Sequence, residues 1–93
     1  MTLVLKDPGA QLDYLVDWGA DYLADDTVAG SVWDVSPREE DGVVVTASTF
    51  DDTSATVTVA GGKEGHRYRL SNRVSTTSGR TDERSILLRV EQR

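Results

Sequence analysis

The chain has 93 residues, enough for one domain around a single core. With no cysteine and one histidine it excludes a disulfide framework and a Cys-His or multi-histidine zinc site within the chain, and no metal or cofactor is expected. A net charge of −6 argues against nucleic acid as a partner, and no apolar run approaches the ~20 residues that cross a bilayer, so no membrane partner is expected.

Taken in order, Thr2 to Lys6 is a short apolar run closed by the turn residues Asp7, Pro8 and Gly9. Residues 1–9 read as an N-terminal arm or edge strand, and residues 10–93 as one domain. Gln11 to Trp18 places Leu12, Tyr14, Val16 and Trp18 on one parity, which marks a strand buried on that side. Gly19 to Asp26, with Tyr22 and Leu23 among acids, fits a single helical turn or a long connection. Thr27 to Val35 puts Trp33 and Val35 on one face and Asp34 on the other, a half-buried strand. The segment SPREEDG (36–42) is a polar connection. Val43 to Phe50 and Ala55 to Ala60 form a strand pair in which Val57 and Val59 point inward. After a glycine corner, His66 to Thr76 sets Tyr68, Leu70, Asn72 and Val74 against Arg67, Arg69, Ser71 and Arg73. Ser78 and Gly79 make the next turn, and Ile86, Leu88 and Val90 give the last strand its buried parity.

About seven short strands with turn signals between them predict an all-β fold, an immunoglobulin-like or fibronectin-III-like antiparallel β-sandwich. The predicted core is Tyr14, Trp18, Trp33, Val57, Leu70, Ile86 and Leu88. Gly65 followed by Tyr68 at the start of the penultimate strand is where such sandwiches place a corner tyrosine, whose ring packs inside and whose hydroxyl bonds upstream backbone.

Charge is divided unevenly along the chain. Residues 1–62 hold twelve acids against Lys6 and Arg38, whereas residues 63–93 hold four acids against eight bases. If the last two strands pair, Arg67, Arg69, Arg73 and Arg89 project from one sheet face, and arginine is enriched where proteins dock. These four are the candidate partner-docking residues. Pairing with the domain's own acids is the alternative. The catalytic set is empty: His66 would have to serve as the base of any triad, and no strained GxSxG turn is present. Asp25-Asp26 and Asp51-Asp52 lack the spacing of a calcium loop and fit turn chemistry.

The runs KDP, LDYLVDW, DTVAGSVWDV and GGKEGHRYRLSNRVSTTSGRTDERSILLRV, which together extend from Lys6 to Val90, resemble the small immunoglobulin-like proteins of tailed bacteriophages called fiber-tail adaptors. The acidic SPREEDG segment departs from that pattern. The resemblance implies a non-enzymatic virion protein, assembled in the bacterial cytoplasm. Its partners would be other virion proteins of the tail, connector or fiber, in multiple copies within a symmetric assembly. A free-standing immunoglobulin-like module that binds a protein or carbohydrate through its loops is the alternative reading.

Overall fold

The computed structural model describes residues 2–20 and 23–91. Along them run strands β1 (Thr2–Lys6), β2 (Leu12–Asp17), β3 (Val28–Ser36), β4 (Val43–Phe50), β5 (Ser54–Gly61), β6 (Arg67–Thr76) and β7 (Thr81–Val90). A single 3-10 turn, Trp18–Ala20, follows β2, and the described residues contain no α-helix. The connection expected over Gly19 to Asp26 therefore begins with one helical turn, while Tyr22 lies outside the described residues. Two sheets result, ordered β1-β7-β6-β3 and β2-β5-β4, and they pack as two layers.

Side-chain polarity explains the layering. Along β6 every second residue, from Tyr68 through Leu70, Asn72 and Val74 to Thr76, is buried, and the residues between are exposed or half-buried. Val57 and Val59 on β5 are fully buried from the opposite layer. Trp18, Leu70 and Leu88 are fully buried as well, whereas Tyr14, Trp33 and Ile86 are half-buried and pack against the same core. The β4–β5 turn is held by the Asp51 carboxylate, which accepts from the backbone N–H groups of Thr53 at 2.9 Å and Ser54 at 2.8 Å.

The layers are also tied by polar contacts at their ends. Trp18 Nε1 donates to Asn72 Oδ1 at 2.8 Å, and Asn72 Nδ2 in turn donates to Ser31 Oγ at 2.8 Å. Trp18 opens the 3-10 turn just after β2, Asn72 sits on β6 in the other sheet, and Ser31 is on β3, so one buried amide ties that turn to two strands. The Arg84 guanidinium stacks over the Trp18 ring at 4.5 Å and closes this end.

One pairing departs from the antiparallel expectation. β1 runs parallel to β7, with Leu3 beside Leu87 and Leu5 beside Arg89. The physical reason is that β1 is joined to β7 by the whole intervening chain rather than by a hairpin, so its direction is set by how the arm enters the sheet. The inward parity of β1 is Val4 and Lys6, which leaves Leu3 and Leu5 exposed. Lys6 Nζ donates to the carbonyls of Asp7 at 2.9 Å and Gly61 at 2.6 Å, so the buried ammonium joins β1 to the end of β5. Loss of solvent pushes its pKa below the usual lysine range, with Asp7 opposing.

Candidate docking face

The outer face of the β1-β7-β6-β3 sheet is built by parity. Antiparallel register sets Arg67 opposite Arg89, Arg69 opposite Leu87, Ser71 opposite Ser85 and Arg73 opposite Glu83. All four predicted arginines therefore share this face. Arg67, Arg69 and Arg73 are exposed, and Arg89 is half-buried with its Nε 2.8 Å from Glu91. Arg67 and Arg69 form no ion pair with any described residue. Beside them stand Leu3, 57% exposed, Leu5, 44% exposed, and Leu87. Leucines at the rim of a guanidinium cluster give one surface both an apolar and a charged component. The alternation of the last strand already puts Leu87 on this face, but sequence reasoning missed Leu3 and Leu5, which come to it through the register of β1 on β7.

Three acids of the first half of the chain, Asp26, Asp34 and Glu39, are committed elsewhere. Asp34 pairs with Arg38. Glu39 accepts a hydrogen bond from the Tyr68 hydroxyl and lies 2.9 Å from His66 Nδ1, and these contacts, Tyr68 foremost, lower its pKa below the usual carboxylate range. The Tyr68 hydroxyl also accepts from the backbone N–H of Lys63 at 3.1 Å, while its ring is fully buried. Gly65, at φ +83°, shapes the corner just before it. His66, adjacent to the corner, is exposed and stacks on Tyr68 with ring centroids 6.5 Å apart.

At the other end of the sandwich Asp26 works as a clamp. Its carboxylate accepts from Ser78 Oγ at 2.5 Å, from Thr27 N at 2.9 Å, and from Arg80 Nε and Nη2 at 3.2 and 3.1 Å. Hydrogen bonds from Ser78 and Thr76 depress its pKa most strongly, far below the ordinary 3.8. A depressed carboxylate contributes stability above its unfolded pKa and loses it as pH falls through the folded value. Asp26→Asn is accordingly expected to be less stable than the parent at neutral pH. The gap should narrow as pH drops below 3.8, read by urea unfolding at each pH. A gap independent of pH would refute the clamp's charge dependence.

Among the described residues no group of three or more His, Cys, Asp or Glu side chains stands close enough to hold a metal ion. What the geometry offers is a small two-layer β protein with a cationic, leucine-edged outer face. The chain belongs to the podophage GP4 fiber-tail adaptor protein gp77 family, whose model matches residues 6–89. It is thus a phage structural adaptor, a family resident in the virion, as the resemblance implied. No curated protein matches the sequence.

Proposed function

We propose that this adaptor joins a fiber to the tail by docking the outer face of β6 and β7 onto an acidic surface of a neighbouring virion protein. The observation that carries the reading is the pair Arg67 and Arg69, exposed, without an acidic partner among the described residues, and flanked by exposed Leu3 and Leu5. Guanidinium groups left unpaired on a folded surface are ready for bidentate contacts with carboxylates, and adjacent apolar area adds burial on docking. The opposite outer face carries Asp13 and Asp17 around Leu15, itself 59% exposed, so neighbouring copies around a tail axis attract rather than repel. We read the sandwich as immunoglobulin-like. Its sheet orders correspond to the B-E-D and C-F-G arrangement, with Tyr68 bonded back to upstream backbone near the start of the penultimate strand.

The test is a phage carrying Arg67→Glu together with Arg69→Glu. Both sites are exposed, so the purified variant should unfold within about 0.5 kcal/mol of the parent. Purified particles should nevertheless lose adaptor and fiber, by about tenfold or more when quantified by mass spectrometry. Parental amounts of both proteins on particles of the folded variant would overturn the docking reading.

A further inference from the structure

An adaptor has to hold two bodies, and the arginine face accounts for one contact. The second lies along the side of the sandwich where the sheets end in β3 and β4. Among the described residues four strands have one side without a hydrogen-bonded neighbour, β1, β2, β3 and β4, and the last two run close to one another. β1 carries Lys6, β2 carries Asp13 and Asp17, and β3 carries Asp34, the charges that ordinarily discourage an edge from pairing with another chain. β4, with sequence VVVTASTF, carries none. It is eight residues long, and Val44, Val45 and Phe50 are 51%, 36% and 43% exposed. One bulge, between Val45 and Ala47, divides it into two short regular runs. Beside this edge a groove of about 250 Å³ has an apolar wall of Trp33, Val35, Val43, Val44 and Val45 and a charged one of Asp34, Arg38 and Glu39, of which Asp34 and Arg38 pair with each other. The Nε1–H of Trp33 is buried without an acceptor, a group that native proteins rarely leave unsatisfied.

We infer that the free edge of β4 accepts an extended segment of another protein as an added strand, and that this segment has an uncharged, alternating apolar middle and basic residues at both ends. The basic ends follow from what flanks β4. Glu40 and Asp41 are exposed before it, and Asp51 and Asp52 are exposed after it. Pairing β4 with its own copy sets these acids against one another: Asp41 meets Asp51 in the antiparallel arrangement, and each acid meets its twin in the parallel one. A second copy is therefore disfavoured, and lysine or arginine ends are favoured. Main-chain hydrogen bonds along β4 supply the attachment, and alternate side chains of the added strand reach the Trp33 groove. This inference rests on the adaptor reading for the need of a second contact, but the segment's chemistry comes from the edge alone.

The probe is a synthetic peptide of alternating valine and threonine flanked by two lysines at each end, added to the purified, isotope-labelled protein. Saturable shifts and slowed hydrogen exchange are expected at alternate amides of Val43–Phe50, with a shift of the Trp33 indole N–H. The same peptide with glutamate flanks should bind about tenfold more weakly or worse, and one with proline in its middle should not bind. Val44→Lys with Thr49→Lys, both exposed outer positions, should weaken the lysine-flanked peptide by a similar factor while leaving the spectrum folded. The inference is overturned by equal binding of both flanking types, by shifts that never saturate or centre on another edge, or by β4 amides already protected through self-association. A negative result leaves the particle test of Arg67 and Arg69 unaffected, so the two readings fail separately.

Discussion

Trp18→Ala lowers the stability of the domain by about 3–5 kcal/mol, and by about 1 kcal/mol more for the orphaned Asn72 acceptor. The ring is fully buried, so its removal leaves a void among Val16, Leu23, Val28, Ala55 and Val74, the residues that share its cluster. It also takes away the donor at 2.8 Å from Asn72 Oδ1, the amide that holds β3 to β6 through Ser31. A domain of this size has about 5–14 kcal/mol to lose, so the variant should populate the unfolded state in mild urea. Equilibrium urea unfolding measures the loss directly. Trp18→Phe in parallel keeps much of the volume while removing the N–H, so it should fall between the parent and Trp18→Ala. A loss below about 2 kcal/mol for the alanine variant would show that the cluster collapses to fill the void.

Gly61→Ala is expected to cost about 2–4 kcal/mol, an unusually large effect for adding one methyl group. Gly61 has φ +79°, a region that residues with a Cβ enter at a penalty. A Cβ there would also lie 2.7 Å from the backbone carbonyl oxygen of Gly42, which cannot swing aside as a side chain can. Relief requires β5 to move, and the Gly61 carbonyl is the acceptor for the buried Lys6 ammonium. Gly65→Ala is the matched control, because Gly65 has φ +83° but open space where the Cβ would go. It should cost only the backbone penalty, about 1–2 kcal/mol. Thermal or urea unfolding of the two variants separates conformational strain from collision, and equal losses would remove the collision from the account.

The parts of the structure legible in the sequence are those where period-two alternation carries charge on one side. β6 is the clearest case: arginines at Arg67, Arg69 and Arg73 against Tyr68, Leu70 and Val74 leave one way to bury the strand, and the structure takes it. Register then follows, and with it the sharing of one face by Arg67 and Arg89. β1 shows where this logic stops. In TLVLK both parities are apolar until Lys6, and hydropathy favours burying the two leucines. The structure instead turns Val4 and Lys6 inward, because the Lys6 ammonium finds carbonyl acceptors on Asp7 and Gly61. A lysine satisfied by distant backbone leaves no mark in local sequence. Leu23 was similarly hidden: set among acids in a connection, it is nonetheless buried beside Trp18. β4 was recognisable as a strand, but its edge position was not, since pattern reports which residues alternate and not which strands lack a neighbour.

The parallel pairing of β1 with β7 has a consequence for biosynthesis. Of all the strands, Thr2–Lys6 is translated first and Thr81–Val90 last, yet each is the other's partner. Until Thr81–Val90 has emerged, β1 with its two outward leucines has no strand to pair with, and the Lys6 amine lacks its Gly61 acceptor until that residue has emerged. Closure of this layer therefore waits for β7, and until then Thr2–Lys6 stands without its partner strand.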